Sequence, residues 1–350
     1  MAYTIKFFFM VTIIFNALCY TRTVYATQKE LSGAGATFPQ PFYQKLFDMY
    51  YRQYGIRVAY QGTGSGDGIK KIINKAVDFA GADVRMNENE LKETKLPSVH
   101  IPTCLGAVAI TYNLSGNPKL KFTPDVIADI FLGKITKWND PKIAAINQGV
   151  KLPDLTVNVV YRLDSSGTTY IFSDYMSKVS REWLKTMGTD KSLNWRTGQG
   201  AKGNPGVAGL IRQIPGSIGY MELIYAIGNN MTVGSIRNMS GKFIEPTTRS
   251  IELAGNITFP DESSLSVTNT PVQYGYPISG FSWIIVYKDL RYEGMTREKA
   301  DELVKLLWWI THEGQRHAEP LHYTPLPKLV VSKAEDIIGS ITYNGIRILK

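Results

Sequence analysis

Arg162-Leu163-Asp164-Ser165-Ser166-Gly167-Thr168 follows directly on Thr156-Val157-Asn158-Val159-Val160-Tyr161. In the leading segment Val157, Val159 and Tyr161 recur at every second position, which predicts a strand. Thr169-Tyr170-Ile171-Phe172 and Tyr175-Met176 then predict the start of a helix. A cation, an acid, two hydroxyls and a glycine therefore sit in a strand-to-helix turn. A helix N-terminus carries unpaired backbone N–H groups and the positive end of the dipole. Gly167 lets backbone come close to a ligand, and Arg162 can grip a tetrahedral oxyanion with two parallel hydrogen bonds. The heptapeptide thus describes an anion cradle on an α/β scaffold. The local alternative is that Ser165 or Ser166 only caps the helix while Arg162 pairs with Asp164.

The same construction recurs upstream. Leu31-Ser32-Gly33-Ala34-Gly35-Ala36-Thr37-Phe38-Pro39 leads into a helix with Phe42, Leu46, Met49 and Tyr50 at helical spacing. Ile56–Tyr60 predicts a strand, Gln61-Gly62-Thr63-Gly64-Ser65-Gly66-Asp67-Gly68 a turn, and Ile69, Ile72, Ile73 and Ala76 a helix face. Val77–Asp83 predicts a short strand, followed by a helix around Glu88–Leu91. In open α/β sheets ligands bind beyond the carboxyl ends of strands, where such turns converge. A dinucleotide fingerprint is not formed, because Phe38 stands where the third glycine belongs and no acid follows at the required distance.

Downstream, Leu105–Asn113, Ser217–Met221 and Ser282–Tyr287 predict buried strands. Val126–Phe131 and Ile143–Ile146 predict helices, as do Ala300–Ile310 and Leu329–Ile338, and the glycine-rich Gly198–Gly206 leads into the apolar Val207–Ile211. Residues 228–275 are rich in Asn, Ser and Thr with weak periodicity and are expected to form a loose excursion.

The 350 residues suffice for about two domains, and 44% apolar with 20% charged residues excludes a disordered chain or a polytopic membrane protein. Residues 1–26 stand apart: Lys6 precedes the apolar Phe7–Phe15, and Val24-Tyr25-Ala26 offers a small-x-small cleavage site. This predicts a signal peptide cleaved near Ala26 and an exported protein, with an uncleaved anchor as the alternative. Removing those residues takes away Lys6 and Arg22 and leaves a net charge of 37 − 30 = +7. It also removes Cys19, so Cys104 has no partner for a disulfide and is expected as core filler. Lys and Arg are scattered rather than clustered, which points away from nucleic acid and toward a solvated surface or steering of a small anion.

Taken together these stretches resemble the phosphate-binding proteins of bacterial ABC phosphate-uptake systems. The resemblance is carried by Gly33–Pro39, Tyr60-Gln61-Gly62-x-Gly64-Ser65 and Val77-Asp78-Phe79-x-x-x-Asp83. It continues in Leu132-Gly133-Lys134-Ile135-x-x-Trp138-x-Asp140, Arg162-x-Asp164-x-Ser166-Gly167-Thr168, Gly203-Asn204-x-Gly206 and Pro215–Tyr220. It implies the type II periplasmic-binding-protein fold, an α/β architecture in which each lobe is a mixed sheet flanked by helices and two crossing strands form a hinge. The crossings are expected near Asn113 and Ser279–Ser282, with residues 27–113 plus 281–350 as one lobe and 114–280 as the other. Phosphate-binding positions carry over to Thr37, Phe38, Ser65, Asp83, Arg162, Ser166, Gly167 and Thr168, with Asp164 holding Arg162 in place. No cofactor or metal is implied. The implied partners are inorganic phosphate and a membrane permease driven by a cytoplasmic ATPase, with a periplasmic monomer that docks to it.

Physical chemistry accommodates these roles. Hydroxyls and backbone amides donate to phosphate oxygens without adding full charge. Asp83 can accept a hydrogen bond from a P–OH, which sulfate lacks, so a carboxylate there disfavours the fully ionised anion. The alternative for Asp83 is a helix cap. Two departures stand out: Asp67 in the Ser65 loop, and Val84-Arg85 after Asp83. The rival functions are a secreted phosphate-ester hydrolase using Ser165 or Ser166, a surface adhesin on the same fold, and a receptor for another oxyanion. The hydrolase needs an activating base, and His100, His312, His317 and His322 form no motif with those serines.

Overall fold

The computed structural model describes residues 30–256 and 266–349. The expected signal segment, residues 1–26, lies outside the described residues. The chain opens with β1 (Glu30–Gly35), α1 (Gln40–Tyr54), β2 (Arg57–Gly62), α2 (Ser65–Ile73), β3 (Phe79–Ala82), α3 (Glu88–Glu93) and β4 (Ser98–Tyr112). It continues through β5 (Lys121–Phe122), α4 (Pro124–Phe131), α5 (Pro141–Ile146), β6 (Asn158–Arg162), α6 (Gly167–Val179), α7 (Arg181–Thr186), β7 (Gln199–Ala201), α8 (Gly203–Gln213) and β8 (Ser217–Glu222). Then follow α9 (Leu223–Gly228), β9 (Thr232–Val233), β10 (Ser235–Arg237), β11 (Phe243–Ile244), α10 (Thr248–Gly255), β12 (Ser279–Tyr287), α11 (Arg297–Thr311), α12 (Lys328–Gly339), β13 (Thr342–Tyr343) and β14 (Ile346–Arg347). No helix among the described residues is long and apolar enough to cross a membrane.

The main sheet runs β2-β1-β3-β12-β4-β8-β6-β7, with β9 pairing the end of β4 on the edge opposite β8. β1 pairs parallel with β2 and β3, whereas β12 is antiparallel to both β3 and β4. At the other end β6 is parallel to β7 and β8. Each parallel set supplies strand ends that point the same way, and the helices that follow start there. β4 joins the two halves. Its residues Ser98–Ala107 pair with β12, and Val108–Tyr112 pair with β8. The pairing therefore changes hands between Ala107 and Val108, whereas Asn113, where the sequence suggests a crossing, only follows the end of β4. The strand is apolar and buried from His100 to Tyr112, so nothing in its composition marks the change of partner. On the returning side the Ile278 carbonyl accepts from the Val108 N–H, and β12 begins at the next residue, Ser279.

Residues 228–275 are more ordered than their composition suggests. β10 pairs with β11 and β5 in a small three-stranded sheet, and Thr247 and Ser250 form a capping box that starts α10. Strands of two or three residues are too short to show a period of two. The turn expected over Gln61–Gly68 is also shorter in the structure: α2 begins at Ser65, so Gly66 and Gly68 lie inside the helix. Cys104 is buried and free.

Candidate functional site

Four helix starts meet at one place, each at the carboxyl end of a strand. Thr37 and Phe38 follow β1 and lead into α1, Ser65 opens α2 after β2, Gly167 and Thr168 open α6 after β6, and Asn204 lies in the first turn of α8 after β7. Asp83 directly follows β3. The first helices belong to one half of the sheet and α6 and α8 to the other, so their dipoles converge across the junction. The side chains of Thr37, Ser65, Asp83, Arg162, Ser166 and Thr168 are all buried there.

Ser65 ties the two halves together. Its Oγ accepts the Asp83 N–H at 3.2 Å and, across the junction, the Gly167 N–H at 3.1 Å. A Cβ on Gly167 would stand 2.4 Å from Ser65 Oγ and 2.6 Å from the Asp83 carboxylate, so only glycine allows this approach. Ser166 caps α6 by accepting the Thr169 N–H at 3.1 Å. The local alternative for the heptapeptide is thus realised in part. Arg162 does pair with Asp164, Nε donating to Oδ1 at 2.8 Å and Nη2 to Oδ2 at 2.5 Å. Its remaining nitrogen, Nη1, points inward and donates to Thr168 Oγ1 at 3.1 Å. Burial works against ionisation of Asp164, but the Arg162 guanidinium and the Gly203 N–H hold its carboxyl below the usual range.

Asp83 does not cap α3. That cap is Asn87, which forms a capping box with Glu90. Instead the Asp83 carboxyl faces the junction, where Ser282 Oγ donates to Oδ1 at 2.6 Å and Ser65 Oγ lies 3.4 Å from Oδ2. Burial pushes the carboxyl up to about 7, against the opposing pull of Ser282, the Arg162 charge and Ser65. Asp67 lies in the first turn of α2 and pairs with Lys71 on the surface at 2.9 Å. The Arg85 guanidinium lies over the Trp283 ring, 5.8 Å from its centroid, beside a cavity of about 370 Å³ that Asp83 also lines. Lys191 lines that cavity and reaches across the junction to Glu90 at 2.5 Å.

Several groups at this site escape sequence reasoning. Asn204 is fully buried and donates through N and Nδ2 to Thr37 Oγ1, at 3.1 and 2.9 Å. Nδ2 also donates to Thr168 Oγ1 at 3.1 Å. Tyr323 donates to the Phe38 carbonyl at 2.6 Å and lies 3.3 Å from Glu222, whose carboxyl burial holds well above the usual range. Tyr220 accepts the Arg162 N–H at 3.2 Å while stacking on Phe172. The available signals were a polar side chain after glycine at a helix start (Asn204) and a serine within an apolar strand (Ser282).

An α/β molecule whose main sheet carries a parallel set at each end, with helix N-termini from both ends meeting at one buried junction, has the form of a periplasmic-type binding protein, and the profile of the PBP superfamily domain matches residues 21–312. The chain is 39% identical over 325 residues to the phosphate-binding protein PstS of Pasteurella multocida, covering 91% of this chain and 93% of that one. It is 38% identical over 315 residues to the protein of the same name from Haemophilus influenzae, covering 88% and 92%. The crystal structure of a phosphate-binding protein from Stenotrophomonas maltophilia superposes with a TM-score of 0.64 at 18% identity, covering 88% of this chain and 93% of that one, a likeness of fold. The chain belongs to the PstS family of phosphate-binding proteins.

Proposed function

We propose that the protein is a periplasmic receptor that binds inorganic phosphate in this cleft and delivers it to an ABC-type permease. Thr37, the Phe38 N–H, Ser65, Arg162, Ser166, the Gly167 N–H and Thr168 donate to the phosphate oxygens, and Asp83 accepts from a P–OH. The observation that carries this reading is a buried carboxyl, Asp83, set among converging donors and the buried Arg162. With Asp83 titrating near 7, protein and ligand share one proton in either form: a monobasic phosphate against the carboxylate, or a dibasic one against the acid. A fully ionised anion has no proton to offer the carboxylate.

Residues up to Ala107 with those from Ser279 act as one lobe and Val108–Ile278 as the other. A ligand held by groups of both lobes favours the closed arrangement by its differential affinity. The mature chain begins near Thr27, works as a monomer until it docks, and needs no metal or cofactor. It acts as a binding protein, with Ser166 Oγ engaged in capping α6. The test is calorimetric titration of the purified mature protein with phosphate and with sulfate. Tight phosphate binding with sulfate weaker by orders of magnitude is expected; equal affinities, or no phosphate binding, overturn the reading.

A further inference from the structure

We infer that Asn204 determines the direction in which the site's threonine hydroxyls donate, and so acts as a specificity-determining residue that touches no ligand. The inference rests on the reading of the cleft as the phosphate site. It begins with Glu222, whose backbone N–H donates to Asn204 Oδ1 at 3.0 Å. An N–H can only donate, so this bond fixes the amide: the oxygen faces β8 and the NH₂ group faces the junction. Nδ2 then has two protons and two acceptors, Thr37 Oγ1 at 2.9 Å from one half and Thr168 Oγ1 at 3.1 Å from the other.

A hydroxyl has one proton and two acceptor lone pairs. Thr37 Oγ1 accepts twice, from Asn204 Nδ2 and from the Asn204 backbone N–H at 3.1 Å. Thr168 Oγ1 also accepts twice, from Asn204 Nδ2 and from Arg162 Nη1 at 3.1 Å. Both lone pairs of each oxygen are therefore occupied, and neither hydroxyl donates to any group among the described residues. Each proton is left as the one bond still to be made. Both threonines are 3% exposed or less, so water does not compete for it. The hydroxyls are thereby fixed as donors toward the cleft. They can bind an oxygen that accepts and cannot turn round to accept from a ligand that donates. Asp83 is left as the place where a ligand proton is received. The bonds run one way, from the β8 backbone through Asn204 to both threonines, and they cross the junction between the lobes.

A side chain that only filled space would give losses independent of the hydroxyls. The test is a cycle of variants titrated with inorganic phosphate by calorimetry, each checked for a cooperative melt. Asn204→Ala frees a lone pair on each threonine, and phosphate affinity should fall by about 30-fold or more. In a Thr37→Val/Thr168→Val background, the same Asn204→Ala change should alter phosphate affinity less than about threefold, because no hydroxyl remains to direct. Asn204→Asp keeps the shape but replaces the donor with an acceptor, so the threonine protons turn away from the cleft. Its affinity should fall at least as far as that of Asn204→Ala and recover partly at acid pH, where the introduced carboxyl regains a proton. If Asn204→Ala unfolds the protein, Asn204→Asp and its pH profile carry the test. Equal losses from Asn204→Ala in both backgrounds, or an Asn204→Asp variant with wild-type affinity, overturn the inference while leaving the phosphate site intact. A wild-type protein that fails to bind phosphate overturns the reading of the site and the inference with it.

Discussion

Replacing Asp83 by Asn exchanges one acceptor for a donor at the point where the cleft distinguishes protonated from fully ionised anions. Ser282 Oγ donates to Asp83 Oδ1 at 2.6 Å, so the carboxamide oxygen keeps that position and the NH₂ takes the place of Oδ2, toward Ser65 and Gly167. At about pH 8 the wild-type carboxyl, which titrates near 7, is ionised. A sulfate beside it then meets like charge as well as two acceptors without a proton between them. Two unit charges ~4 Å apart repel by about 4 kcal/mol at the effective dielectric of protein sites. If only a third of that survives relaxation, the penalty is about 1.4 kcal/mol, a factor of roughly 10; the whole of it is a factor of roughly 1000. Asp83→Asn should therefore shrink the phosphate-to-sulfate affinity ratio by about 10- to 1000-fold, chiefly by strengthening sulfate. A pH series adds the sign. In the wild type, sulfate should weaken by up to about tenfold per pH unit as pH rises above 7, whereas phosphate brings its own proton. In the variant that slope should vanish. Calorimetry of both anions, with both proteins, across that range is the assay. A ratio that is unchanged or larger in Asp83→Asn would refute the proton-reading role.

Arg162→Ala should weaken phosphate by about 2–5 kcal/mol, because it removes a buried cation from the site and leaves Asp164 without its ion-pair partner; circular dichroism should still show a folded protein, and near-wild-type affinity counts against the site. Lys191→Ala removes an ion pair that joins the two halves, with side chains 12% and 18% exposed. It should weaken phosphate by about 1 kcal/mol, roughly fivefold, through faster release that stopped-flow can follow, and high salt should narrow the difference from wild type; an unchanged release rate refutes the latch. Glu222→Gln should leave phosphate affinity within about threefold, because burial pushes that carboxyl well above the usual glutamate range and the amide matches its protonated form in shape and charge. As that raised acid favours the folded state when protonated, the variant should also lose less stability as pH rises above the ordinary glutamate range, which melts from about pH 4 to 9 can measure.

Much of the scaffold could be read from the chain because its turns carry their chemistry locally. Gly167 after Ser166, Ser65 after Gly64, and Asp83 at the end of an apolar strand each announce a strand end meeting a helix start. The crossing was less legible. β4 is buried without a break from His100 to Tyr112, and its change of partner at Val108 depends on where β8 and β12 dock, which periodicity along one strand does not encode. The small sheet of β5, β10 and β11 was hidden for a different reason, since its strands are shorter than any detectable period. In the site, Thr37, Ser65, Asp83, Arg162, Ser166, Gly167 and Thr168 come together around the junction. Asn204 and Ser282 were missed because their roles consist of bonds to residues distant in sequence. Asn204 lies 167 positions from Thr37, and Ser282 lies 199 from Asp83.

The central claim is that these converging groups hold one phosphate, and a crystal structure of the mature protein grown with phosphate tests it most directly. One tetrahedral anion is expected in the cleft, bound by Thr37, the Phe38 N–H, Ser65, Arg162, Ser166, the Gly167 N–H and Thr168, with a short contact to Asp83. A phosphate bound elsewhere on the molecule, with this cleft holding only water, would contradict it.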